Sequence, residues 1–247
     1  DAQESRGLGD VYKRQLQGQL ALVTGASRGI GAATAKALAA RGAHVILTAR
    51  TAKDLEAVED AIFEAGGSAT IAPLDLADGD SIARLAAAIG GRWEALDILV
   101  LNAAMLGSLG PVPTIDGGEL NRLMTLNVLS AQAMIAYFDP MLRKSAHARV
   151  IGLTSSVAAK PRAFWGAYGA SKAALEVLIA AYGEEMRNIG KIRTAIVDPA
   201  RTRTAMRAKA YPGEDPATVK LPDVVGEAIA ELVSGEFETG TKVVLQG

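Results

Sequence analysis

Apolar residues come along this chain in short runs, separated by stretches with helical spacing. Residues 20–24 form an apolar run that ends at a glycine, and an alanine-rich stretch over 30–41 follows with helical periodicity. A β-rich run at 44–49 leads into helical spacing over 51–65. Residues 68–74 read as a third strand, 78–89 as its following helix and 96–101 as a fourth strand. The pattern then predicts one long helix over 118–143, a fifth strand at 149–154 and a second long helix over 167–188. A sixth strand at 192–197 and a short one near 241–245 complete the series. Apolar strands alternating with helices predict the α/β class, with a parallel sheet covered on both faces. Right-handed crossovers make that sheet doubly wound, with about seven strands. The least regular stretch, 201–221 with Pro212 and Pro216, predicts a loop or lid.

No linker, repeat or low-complexity tract interrupts 16–247, so a single domain is expected there. The first fifteen residues, DAQESRGLGDVYKRQ, are polar, lack an apolar signal-peptide segment and resemble the translation of a cloning adaptor. They are expected to be a non-native or disordered extension. Composition narrows the function classes. Of 247 residues 49% are apolar, enough for a sizeable core, and the net charge of −1 favours neither nucleic acid nor an anionic membrane. No apolar stretch reaches the length of a membrane span. The chain has no cysteine, which excludes disulfides and thiolate metal sites. His44 and His147 are too few for most histidine-rich metal sites, are expected at the surface or a strand edge, and no metal site is expected. The lack of cysteine is compatible with the cytoplasm, the expected location.

Three segments carry candidate chemistry. The first is Thr24-Gly25-Ala26-Ser27-Arg28-Gly29-Ile30-Gly31, directly after the first strand. Glycines there let the turn be tight and let main chain approach a pyrophosphate, while the following helix aims its free N–H groups at that anion. The second is the end of strand two, Leu47-Thr48-Ala49-Arg50. An acid at that point would bind both ribose hydroxyls of NAD; none is present. Arg50 and Arg28 would instead suit a 2′-phosphate through charge-assisted bonds, which predicts NADP(H). The plain alternative is two solvated surface arginines. Asp75, in Leu74-Asp75-Leu76 after strand three, is a candidate for the adenine edge or an ordinary loop aspartate.

The third segment is Tyr168-Gly169-Ala170-Ser171-Lys172. Tyrosine and lysine at i and i+4 share a helix face, and a nearby ammonium favours the phenolate, so the tyrosine can exchange a proton near neutral pH. Thr154-Ser155-Ser156 ends strand five about a dozen residues earlier. Ligands of a parallel sheet sit beyond the carboxyl ends of its strands, so a strand-end serine and a tyrosine opening the next helix share one site. Such a serine can steady a developing oxyanion.

Taken together, these motifs resemble the short-chain dehydrogenase/reductase family over essentially all of 17–247. The matching features are T-G-A-S-R-G-I-G, Asn102-Ala103-Ala104 after strand four, Asn127 in Leu126-Asn127-Val128, Thr154-Ser155-Ser156 and Y-G-A-S-K. The resemblance implies a Rossmann-type dinucleotide-binding and catalytic domain with a catalytic tetrad of Asn127, Ser155, Tyr168 and Lys172. It implies a cofactor site at Gly25, Ser27, Arg28, Gly29, Ile30, Gly31, Arg50, Asp75, Leu76, Asn102, Ala103 and Ala104, with Tyr168, Lys172, Pro199, Thr202 and Thr204. Asn102 would steady the central sheet beside the cofactor, and the family's Pro-Gly-x-x-x-Thr would brace the nicotinamide amide. Here that segment is Pro199-Ala200-Arg201-Thr202-Arg203-Thr204, with alanine in place of the glycine. The serine is open by one position: Ser155 precedes the tyrosine by the usual thirteen residues, but Ser156 better matches the local S-V-A pattern.

The expected activity is hydride transfer between NADP(H) and a small-molecule carbonyl or alcohol, in a homodimer or homotetramer. The alternatives are a catalytically weak NADP(H)-binding sensor or scaffold, and a sugar-nucleotide epimerase or dehydratase. The chain is short for the nucleotide-sugar domain that the last requires. Trp165, three residues before Tyr168, reads either as pocket wall or as core. Arg201, Arg203 and Arg207 read either as a lid's solvated face or as recognition of an acidic substrate.

Overall fold

The computed structural model describes residues 15–246. Apart from Gln15, the expectation for the first fifteen residues lies outside them. Gln15 lies in a turn, and Leu16 beside it is buried, with its N–H donating to Arg41 O at 2.9 Å.

Seven strands make one parallel sheet in the order β3-β2-β1-β4-β5-β6-β7. They are β1 (Leu20–Thr24), β2 (His44–Thr48), β3 (Ser68–Ile71), β4 (Ile98–Leu101), β5 (Ala148–Leu153), β6 (Ile192–Asp198) and β7 (Thr241–Val244). The order reverses between β1 and β4, which opens a crevice at their carboxyl ends. Strands β1, β4 and β5 are buried along their whole length, as their largely apolar sequences require, with Arg149 the one charged residue among them.

Alternate strand residues supply two cores. Ala21, Val23, Val45 and Leu47 pack under α1 (Gly29–Ala40), α2 (Ala52–Glu64) and a late helix, Pro222–Ser234. Leu20, Leu22, Ile46 and Leu99 face α3 (Gly79–Gly90), with Phe138 and Ile179 from two later helices. No described helix is long and apolar enough to cross a membrane.

Two helices differ from the sequence expectation. The single helix over 118–143 is broken into α4 (Gly117–Met124), one π-helical turn (Thr125–Leu129) and α5 (Ser130–Leu142). The wide turn falls on Asn127, whose side chain is fully engaged with neighbouring backbone, as insertions of this kind at functional sites commonly are. After β5 come α6 (Ser156–Ala159) and the long α7 (Gly166–Met186). The irregular stretch after β6 contains a short helix, α8 (Ala205–Ala210), and a 3₁₀ turn, Pro216–Thr218. The late helix, α9 (Pro222–Ser234), carries a signal that the strand–helix pattern passed over: proline at its first position and apolar residues at Val225, Ile229 and Val233. It packs backbone to backbone on α1, since a Cβ at Gly226 would lie 2.6 Å from the Ala33 carbonyl carbon.

Candidate active site

A cleft of about 1200 Å³ lies along the carboxyl ends of the strands. That is large for a single small molecule and suits a dinucleotide with a second reactant beside it. Its first wall is main chain. Gly25 and Gly29 hold φ of 66° and 57° in the turn after β1. Gly31 does not line the cleft but makes the turn possible: a Cβ there would lie 2.2 Å from Gly25 O. Asn102 fixes the same turn, its Nδ2 donating to Thr24 O at 2.8 Å and Gly25 O at 3.2 Å. Thr24 Oγ1 accepts from Asn102 N and Ala103 N, tying β1 to the loop after β4.

The N-terminus of α1 is left open to an anion. Its cap residue, Arg28, makes no side-chain capping bond, and its first turn holds no acid. In α3 and α4, by contrast, Asp78 and Asp116 close the N-termini with their carboxylates. Free N–H groups and the helix dipole together fit a pyrophosphate. The exposed Arg28 and Arg50 line the cleft here. These residues fit a phosphorylated dinucleotide, although Asp54 from α2 also lines this end.

The second wall carries the reactive groups. Tyr168, Lys172, Ser155 and Ser156 all line the cleft. Lys172 is buried and donates from Nζ to Leu153 O at 2.8 Å, with Nζ 5.8 Å from the Tyr168 ring centre. Burial brings its ammonium down to about 8. Burial, with the nearby Asp198 carboxylate second, pushes the Tyr168 phenol up. The sequence argument, in which lysine favours the phenolate, is therefore outweighed here by desolvation, and Tyr168 stands as a neutral acid. The two serines differ in engagement. Ser156 Oγ accepts from Arg162 Nη2 at 3.3 Å, whereas Ser155 Oγ has no partner among the described residues.

Asn127 is set behind this wall rather than on it. Its Oδ1 accepts from Met105 N at 2.8 Å, and its Nδ2 donates to Met105 O at 2.9 Å and Ser171 Oγ at 3.0 Å. Ser171 Oγ donates in turn to Tyr168 O at 2.8 Å, so Asn127 reaches the tyrosine through one hydroxyl.

Of the other expected site residues, Ser27, Ile30, Asp75, Leu76, Asn102, Ala103, Ala104, Pro199, Thr202 and Thr204 line the cleft. Asp75 uses Oδ1 to accept from Ala77 N at 3.0 Å, closing its own loop. Ala200, standing where the glycine would be, has φ of 52°, the left-handed conformation that favours glycine. Thr204 caps α8, its Oγ1 accepting from Arg207 N at 3.1 Å.

The segment expected as a loop or lid closes the third side of the cleft. Arg207 donates to both carboxylate oxygens of Glu214, at 2.6 and 2.7 Å, and Arg201 to one at 3.1 Å. Two of the three lid arginines thus serve the lid itself; Arg203 stays exposed. Trp165 is pocket wall, set edge-on to Tyr168 at 6.0 Å and stacked on Tyr211 at 5.7 Å. Of the other residues, His44 opens the internal strand β2 and is half-buried, stacked on Trp93 at 5.4 Å and bonded to Ser68 and Thr70, while His147 is exposed. Sequence reasoning missed Asp54, Leu106, Val157, Arg162, Met206, Tyr211 and Glu214. It also missed Asp198, which did leave a usable signal as the acid that ends β6 after the apolar residues 195–197.

Comparison with known proteins agrees with this geometry. Residues 19–215 match the family model for short chain dehydrogenases. The uncharacterized oxidoreductase YciK of Escherichia coli (strain K12) is 35% identical over 210 residues, 84% of this chain and 82% of that protein. A short chain dehydrogenase from Salmonella enterica serovar Typhi str. CT18 superposes with a TM-score of 0.90 at 32% identity, covering 94% of this chain and 97% of that one. An Escherichia coli CFT073 protein assigned as a short chain dehydrogenase, complexed with NADPH, superposes with a TM-score of 0.89 at 33% identity, covering 94% and 98%.

Proposed function

Because this chain belongs to the short-chain dehydrogenase family, we propose that it is an NADP(H)-dependent oxidoreductase interconverting a small-molecule carbonyl and its secondary alcohol. The NADPH-complexed neighbour supports the cofactor. When bound, the nicotinamide supplies or takes the hydride. The open N-terminus of α1 would hold the pyrophosphate, Arg28 and Arg50 the 2′-phosphate, and Lys172 the nicotinamide ribose. Pro199, Thr202 and Thr204 would border the nicotinamide. In reduction, Tyr168 gives its hydroxyl proton to the carbonyl oxygen as the carbon gains the hydride, leaving the alcohol. Ser155, whose hydroxyl is uncommitted, donates a hydrogen bond to that oxygen as its charge grows. Asn127 acts behind them, through Ser171, by fixing the main chain at Tyr168. The reading includes a cytoplasmic homodimer or homotetramer.

The observation that carries this reading is the Tyr168 hydroxyl itself. Tyr168 lines the cleft together with Lys172 and Ser155, its hydroxyl has no partner among the described residues, and burial pushes the phenol up. The test is NADPH consumption across ketones, quinones, acyl compounds and steroid carbonyls, with Tyr168→Phe in parallel. Wild type should prefer NADPH over NADH by about tenfold in Kd, and Tyr168→Phe should lose about 10³-fold in turnover while keeping its affinity for NADPH. Near-wild-type turnover in Tyr168→Phe would sink the assignment. NADPH binding by wild type without turnover of any carbonyl would favour a sensor or scaffold.

A further inference from the structure

The two ends of the cleft differ in how their positive charge is balanced. Beyond Ser155 the wall is apolar: Leu106, Val157, Trp165 and Met206 pack with Tyr168 in one cluster. Three arginines reach this end. Arg207 is paired bidentately with Glu214, and Arg201 shares that one carboxylate, so both are engaged with an acid of the lid and one net positive charge is left on the trio. Arg207's hydrogen bonds hold the Glu214 carboxyl down at about 2, so the ion pair persists across the physiological range. Arg207 also lies over the Tyr211 ring, 4.1 Å from its centre. Arg203 is exposed and belongs to the other end, next to Thr204, which a Cβ at Gly29 would touch at 3.5 Å.

Arg162 is different. It sits in the loop between α6 and α7, lines the cleft, and donates only to neutral groups: Ser156 Oγ at 3.3 Å and Tyr211 Oη at 3.3 Å. Both bonds are long, and no carboxylate pairs with it among the described residues. It spans from the serine pair on the cleft floor to the lid. An uncancelled guanidinium beside an apolar wall is suited to an anion, because its planar fork binds a carboxylate or phosphate through two short charge-assisted bonds. Exchange of two long neutral bonds for two such bonds costs the protein little.

Building on the carbonyl-oxidoreductase reading of this cleft, we propose that Arg162 is a specificity residue for an anionic group on the substrate. The substrate class is a carbonyl compound with an apolar body and a carboxylate or phosphate. The body packs on Trp165, Met206 and Leu106, and the anion sits on Arg162. Since Ser156, which Arg162 touches, adjoins Ser155, the anion lies close to the reacting oxygen, only a short molecular span away.

The matched probes are 4-acetylbenzoate and its methyl ester, bound to the enzyme–NADP⁺ complex, where a ketone cannot turn over. The chain has two tryptophans, so a Trp93→Phe background leaves Trp165 as the reporter of quenching. The acid should bind about tenfold more tightly than the ester, about 1.4 kcal/mol. Arg162→Gln, which keeps hydrogen bonding to Ser156 and Tyr211, should bring that ratio close to one, and Arg162→Lys should retain part of it. The preference should also shrink as salt is raised. Equal affinities in wild type, a preference that survives Arg162→Gln, or no quenching by either probe would overturn the proposal. Turnover of both probes with NADPH is measured separately. Arg162-dependent acid binding without turnover would count against the oxidoreductase reading and leave the anion site standing.

Discussion

At the glycine-turn end of the cleft the wall is main chain, and its shape depends on atoms that are missing. Gly31 lies so near Gly25 O that no side chain fits, and α1 presents an N-terminus that no acid closes. At the lid end the wall is side chain. Arg162 and Trp165 from the loop before α7, Arg207 from α8, and Tyr211 and Glu214 from the turn after it lean on one another through stacking and ion pairs. The first end is rigid because backbone contacts cannot be exchanged one at a time. The second can be re-cut by single substitutions that leave the sheet untouched. A cofactor common to many reactions belongs at the first kind of wall, and a particular substrate at the second.

The sharpest way to break this contrast is to add one methyl group at the backbone-built end. Gly31→Ala would place Cβ 2.2 Å from Gly25 O and 2.6 Å from Asn102 Nδ2, so the turn must move. The expected cost is about 3 kcal/mol of stability, at the upper end for overpacking. NADPH binding should fall with it, since the α1 N-terminus shifts. Chemical denaturation and fluorescence titration check both. A variant with wild-type stability and affinity would mean that the turn is pliable and the two ends are not built differently.

The same contrast explains what could be read from the sequence. Residues whose role follows from local spacing were legible: the glycine turn, the missing acid after β2, and Tyr168 with Lys172 one helical turn on. The strands were placed to within a few residues because the central ones are mostly apolar runs, β1 and β4 above all. The break in the helix at Asn127 was not legible, because its cause is non-local: the side chain satisfies Met105, twenty-two residues earlier. Arg162, Tyr211 and Glu214 were also missed. Their meaning lies in which partner each finds, and Tyr211 is 49 residues from Arg162. Burial reversed one inference about charge: desolvation of the tyrosine itself, with Asp198 beside it, outweighs the lysine that should lower it.

That burial gives a prediction of intermediate size, at the seam between the two ends. Lys172 is held at about 8 in the fold against 10.5 when free. Between those values the unfolded chain binds the extra proton, so wild-type stability should rise with pH across that window. Measured against Lys172→Met, in which Tyr168 is unchanged, the gain should be about 3 kcal/mol. NADPH affinity should move the opposite way, weakening as the ammonium is lost above pH 8. A flat stability difference would place the lysine in a wetter setting, and the lid-side wall would then be less closed than its contacts indicate.

The smallest effect tests the point where the two kinds of wall meet, the turn after β6. Ala200 holds φ of 52° there, with its N–H donating to Asp198 Oδ1 at 2.9 Å and Thr202 Oγ1 donating to Pro199 O at 2.9 Å. The left-handed conformation costs a residue with a Cβ about 1–2 kcal/mol. Glycine would escape that cost but lose about 0.5–1 kcal/mol to the greater freedom of the unfolded chain. Ala200→Gly should therefore stabilise the protein by about 0.5–1 kcal/mol, a rise of about 2 °C in Tm for a chain of this size. If the variant loses stability instead, the alanine methyl contributes packing worth more than the strain, and the turn belongs with the side-chain-built wall. If it gains as expected while the pH profile of turnover stays fixed, the strained main chain is separable from the Asp198 carboxylate that raises Tyr168. The turn then belongs with the glycine-built wall, shaped by backbone and carrying one methyl group that the geometry does not favour.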